Sequence, residues 1–181
     1  MPLRGQLILL LALVIVAAIT DLRSRRIPNW LTLSGVLSGL GMNIFLTEQW
    51  WEGLKFSLVG LGAGFGLYVI LYVLRAMGAG DVKLMAATGA IVGWQNWFGI
   101  FIVTALLGGV LAIVFSILKK RLGTTFWNVG FILSEMKHGR PAYLGKEELD
   151  VKSAKAMRMP HGAVIALATF VFVGLSAYYT K

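Results

Sequence analysis

Apolar runs about as long as a membrane-crossing helix recur along almost all of this 181-residue chain, and that recurrence leaves few folds open. They cover 3–19, 30–46, 56–77, 82–94, 97–118 and 163–179. A hydrocarbon layer of about 30 Å needs roughly 20 helical residues at ~1.5 Å of rise each. The pattern therefore predicts an all-α integral membrane protein, one polytopic domain over 1–181, with six transmembrane helices. The fourth run would reach only about 20 Å, so it is expected to be short or tilted. The first run resembles a secretory signal, but 17–19 reads Ala-Ala-Ile, without the small residue wanted before a cleavage site, so it is expected to stay as a mature helix.

Composition agrees, with 57% hydrophobic and 14% charged residues. The absence of cysteine rules out disulfides, thiolate metal ligation and a thiol nucleophile, and two histidines, His138 and His161, are too few for a metal cage. No cofactor and no metal are expected. Any catalysis must come from oxygen groups.

The net charge of +9 invites a nucleic-acid reading, but basic residues beside apolar runs are first of all topology signals. Arg23, Arg25 and Arg26 follow the first run, Arg75 and Lys83 flank the turn after the third, and nine more lie between Lys119 and Arg158. Those are 14 of the 17 lysines and arginines. The positive-inside tendency then puts the N-terminus outside and the segments 21–29, 75–82 and 119–160 in the cytoplasm. No nucleic-acid partner is expected. Within 119–160, Phe126, Val129, Leu133 and Met136 recur at helical spacing, which predicts a cytoplasmic helix lying in the interface, its basic surroundings suited to anionic lipid head groups.

An ionisable group next to an apolar span is costly and is usually paired, solvated by a cavity or functional. Asp21 and Asp81 are the two such carboxylates, both on the predicted cytoplasmic face. Gly78 and Gly80 sit just before Asp81 and allow close backbone approach there, whereas Pro28 disfavours helix at Ile27. The first helix is thus expected to end at Asp21 and the second to begin near Pro28. Two carboxylates brought together do not both ionise readily: one keeps a proton while the other draws one from water. Arg23 and Lys83, each two residues past an aspartate, read as topology or substrate-positioning groups, with Gly78 and Gly80 as further positioning candidates. Gly60, Gly62, Gly64 and Gly66, inside an apolar run with no preceding strand, predict a helix-packing surface and not a phosphate loop. Trp50, Trp51, Trp94 and Trp97 fall at predicted outer helix ends, where interfacial anchors belong.

The motifs Asp21-Leu22-Arg23-Ser24-Arg25-Arg26-Ile27-Pro28-Asn29 and Gly78-Ala79-Gly80-Asp81-Val82-Lys83-Leu84 together resemble the signature of the type IV prepilin peptidases, of the GxGD aspartyl protease class. Helix number, motif order and Met159-Pro160-His161-Gly162 before the last run resemble the short, peptidase-only branch that processes Flp-type and Tad-type pilins. The resemblance implies an aspartic endopeptidase of the bacterial inner membrane. It would cut a basic leader from pilin-like precursors on the cytoplasmic side, with Asp21 and Asp81 at the family's two catalytic positions. The longer members' cysteine-containing loop is missing and 22–28 is too short to hold it, so no N-methyltransferase activity is expected. A proton-coupled transporter using the same aspartates is the rival reading, and a structural partner in a secretion assembly is a third.

Overall fold

The computed structural model describes residues 4–120, 122–137 and 160–179. Among these, all regular structure is helical: α1 (Arg4–Ser24), α2 (Asn29–Leu46), α3 (Trp50–Val73), α4 (Ala79–Leu118), α5 (Leu122–Lys137) and α6 (His161–Tyr179). Four of them, α1, α3, α4 and α6, are long and apolar enough to cross a membrane. The 18-residue α2 is less apolar than these, because Asn29, Thr32, Ser34, Ser38 and Asn43 dilute its hydropathy.

The expected fourth and fifth helices form one 40-residue element, broken at a single residue. Gly93 has φ 73° and ψ 168°, a region that a side chain makes costly. Contacts on either side show that the chain turns back there. Before the break, Met85 and Gly89 pack against Gly64 and Gly60 of α3, so this arm runs antiparallel to α3. Past the break, Phe101 meets Tyr68, ring centroids 6.1 Å apart, instead of an earlier α3 residue. This second arm runs antiparallel to α6, with Gly99 against Phe172 and Gly108 near Val164. At ~1.5 Å per residue the arms are about 21 Å and 37 Å long.

The core lies where α1, α2 and α6 close around the first arm of α4. Leu10, Leu13, Val14 and Ala17 of α1, Leu84, Met85, Ala87, Ile91 and Val92 of α4 and Ile165 of α6 are buried together. α2 sits in a groove, with Gly35 against Leu13 and Ala87 and Gly39 against Ile91. The tightest contact joins α3 to α4, where Gly60 and Gly89 touch backbone to backbone. The glycine surface is real but one-sided: Gly60 and Gly64 face α4, while Gly62 and Gly66 face open space.

Several boundaries differ from expectation. α1 continues three residues past Asp21, because Leu22 and Arg23 suit a helix and a cation in the last turn suits its dipole. It stops at Arg25, whose φ of 53° is left-handed. α3 starts at Trp50 instead of 56, with Glu52 in its first turn paired to Lys55 at 3.1 Å, and ends at Val73, before the left-handed Arg75. Trp97 is no surface anchor: it is buried and stacks on Phe101, ring centroids 5.7 Å apart, while Trp50, Trp51 and Trp94 are exposed. A helix, α5, forms over the stretch where an interfacial helix was expected; the side chains of Phe126, Leu133 and Met136 lie outside the described residues, as do His138 and 138–159 generally.

The α3–α4 contact predicts an asymmetric response to one added methyl group. Gly60→Ala places a Cβ on the Gly89 carbonyl and should lower stability by about 1–3 kcal/mol. Gly62→Ala meets open space and should leave stability within about 0.5 kcal/mol. Thermal unfolding of the two variants in detergent compares them directly.

Candidate active site

Three helix ends meet at one end of the bundle. Asp21 stands in the last turn of α1, Asp81 in the first turn of α4, and Gly162 at the second position of α6. Asp21 and Asp81, 60 positions apart in sequence, line one cavity of about 490 Å³ with Gly78 and Gly80. The connector between α1 and α2 forms the rest of its wall, from Arg25 to Asn29.

Each carboxylate is held by a main-chain amide. Asp21, 8% exposed, accepts a hydrogen bond from Gly162 N–H, 2.8 Å from its Oδ2. Asp81 Oδ2 accepts from Gly78 N–H at 3.2 Å, the turn closing on itself at the start of α4. Helix starts leave their first amides without intrahelical partners, so a carboxylate there meets both a donor and the positive end of the helix dipole. Ile27 fills the space between the two helix starts, packing against Gly80 on one side and Gly162 on the other.

The two aspartates and two glycines expected at the site are on the cavity wall; Arg23 and Lys83 are not among its lining residues. Arg23 is exposed on α1, and Lys83 Nζ donates to Asn29 Oδ1 at 2.9 Å, tying α4 to the start of α2. The cavity's cations are Arg25 and Arg26 instead. His161 is half-buried beside Gly108 of α4, with Nδ1 shielded from solvent. Among the described residues no cluster of His, Cys, Asp and Glu has the makings of a metal site.

A helical bundle with membrane-length spans and an aspartate pair facing one end cavity defines a class, the multi-helix membrane proteins with a paired-carboxylate site. A profile of the Type IV leader peptidase family matches residues 8–113, which takes in both aspartates, and the chain belongs to that family. Among curated proteins it is similar to three named prepilin leader peptidase/N-methyltransferase. The Pectobacterium carotovorum protein is 35% identical over 66% of this chain and 44% of its own length, and the Klebsiella pneumoniae protein 42% identical over 52% and 42%. The Escherichia coli K12 protein is 32% identical over 67% of this chain and 56% of its own. The chain thus spans about half the length of the curated relatives it matches. No solved structure matches it.

The cavity wall yields a cross-linking test that the cysteine-free chain makes clean. A Cβ at position 80 would lie 3.2 Å from the Ile27 Cβ, close to the ~3.5–4.5 Å spacing of a disulfide. Ile27→Cys with Gly80→Cys should oxidise to an intramolecular disulfide. Arg23→Cys with Gly80→Cys should stay reduced, as read by a thiol-reactive mass tag.

Proposed function

We propose that this protein is an aspartic endopeptidase that removes the leader from pilin-like precursors of the Flp or Tad type at the cytoplasmic face of the bacterial inner membrane, with Asp21 and Asp81 as its catalytic pair. The observation that carries the reading is that these two carboxylates, from opposite ends of different helices, open onto one cavity. Family membership supports it, as does the name its curated relatives carry. The charge distribution favours six crossings with the N-terminus outside, the two arms of α4 counted separately, which leaves the site among the basic segments. α5, in that basic region, would rest on anionic head groups.

The chemistry needs a water between the carboxylates. The ionised aspartate takes a proton from it as the oxygen attacks the scissile carbonyl, while the protonated aspartate gives its proton to the carbonyl oxygen. The tetrahedral intermediate then collapses: the C–N bond breaks, the amine leaves with a proton from the first aspartate, and the second aspartate takes back a proton from a hydroxyl of the gem-diol as the carboxyl product forms. No metal or cofactor takes part. The peptidase activity is proposed alone, without N-methyl transfer: the chain has no cysteine and its α1–α2 connector is only residues 25–28. The transporter alternative finds no support, since a proton relay wants acids at mid-depth and both of these stand at helix ends.

Purified protein in lipid discs, incubated with pilin-like precursors, should release a leader and a single new N-terminus readable by mass spectrometry. Asp21→Asn and Asp81→Asn keep shape but remove the exchangeable proton, and each should slow cleavage by at least on the order of 10²-fold. Either variant cutting at the rate of the native protein would sink the dyad.

A further inference from the structure

We infer that Gly162 is a positioning residue of the proposed peptidase site: its main-chain N–H fixes the Asp21 carboxylate in the orientation that activates water. This rests on the peptidase reading and adds to it a third helix that neither aspartate belongs to.

The hydrogen bond is buried and joins positions 141 apart, so it reflects how α6 docks and not local chain geometry. It differs from the Gly78–Asp81 contact, which is longer, partly buried and internal to one turn. Asp21 accepts its bond from a separate helix, whereas Asp81 accepts from its own. The charged and titratable groups facing Asp21 are Asp81 from α4, His161 from α6 and Arg25 and Arg26 from the connector.

Space also favours glycine at 162. A Cβ there would lie 3.1 Å from both the Cβ and the Oδ2 of Asp21 and 3.2 Å from Cδ1 of Ile27. Ile27 is itself wedged against Gly80, so the Asp21 side chain is what must yield. An added methyl group would therefore push the carboxylate off its donor and away from the cavity position it shares with Asp81.

The test uses the full chain in lipid discs, with a pilin-like precursor and with glycine-selective ¹⁵N labelling. Gly162→Ala should lower kcat on the order of 10- to 100-fold while leaving KM within about two-fold, the pattern of a misplaced catalytic group and not of weakened substrate binding. Ile27→Val in the same chain makes room for the methyl group and should recover part of that loss. In the spectrum, the amide signal identified by its disappearance in Gly162→Ala should move strongly on Asp21→Ala and little on Asp81→Ala. A native protein that cleaves, with Gly162→Ala turning over at the native rate or raising KM alone, overturns the inference and leaves the peptidase reading intact. An amide signal indifferent to Asp21→Ala overturns it whether or not any variant is active. A native protein that cuts no precursor overturns the peptidase reading in the first arm, and the catalytic role of Gly162 with it, while the amide signal still decides whether the contact exists.

Discussion

The site depends on how closely α3 and α4 approach. With glycine on both sides, at 60 and 89, the two backbones touch, and one turn away the Met85 carbonyl lies against Gly64. Helices surrounded by lipid gain nothing from hiding apolar side chains from each other, so such surfaces, where dispersion and backbone contact replace that gain, decide their register. Asp81 is four residues before Met85, about 6 Å along the axis. A side chain wedged between the helices would therefore move the carboxylate almost as far as it moves the helix, which makes the glycine face part of the apparatus that aims Asp81.

The second constraint is the break at Gly93. Ending a helix inside apolar surroundings strands the carbonyls of its last turn, and each stranded group costs several kcal/mol in hydrocarbon. Asn96 donates to the Val92 carbonyl at 3.0 Å, and Asn43 meets the cost for two more. Its side-chain amide donates to the carbonyls of Ala90 and Ile91 at 3.0 and 3.2 Å and to Ser57 Oγ at 2.7 Å, while its Oδ1 accepts from Gln6. One buried asparagine thus ties α1, α2 and α3 to the point where α4 turns. The polar residues that lower the hydropathy of α2 are accordingly not defects in a span: Asn43 makes the turn possible, and Thr32, also buried, satisfies its hydroxyl on the carbonyl of Asn29.

How much was legible in the sequence follows from what each signal measures. Hydropathy marks apolar stretches, so it found the helices and the weakness of 82–94, but it does not see helix ends. α3 extends six residues before its apolar run because Trp50, Trp51 and Glu52 are sound helix formers in a first turn. Asp21 was expected to end α1 on the strength of Pro28, yet that residue's backbone veto acts on Ile27 and leaves 22–24 free to stay helical. The aspartates and glycines of the site were readable from residue type and placement. Arg25, Arg26 and Gly162 were not, since their presence depends on where α1 stops and how α6 docks, both long-range outcomes.

That overrun of α1 has a chemical consequence. Had the helix ended at Asp21, the carboxylate would sit on a loosely held residue, and its retention in low-dielectric surroundings would have no compensation. Continuing to Ser24 locks the Asp21 backbone into the ladder, with Arg25 N–H donating to the Asp21 carbonyl at 2.9 Å. The left-handed turn at Arg25 then starts the connector back toward α2, so that Arg25 and Arg26 reach the cavity that both aspartates face. A rigid helix end and a main-chain amide from another helix together hold the buried Asp21 carboxylate in one place, which the proposed water-activating role requires.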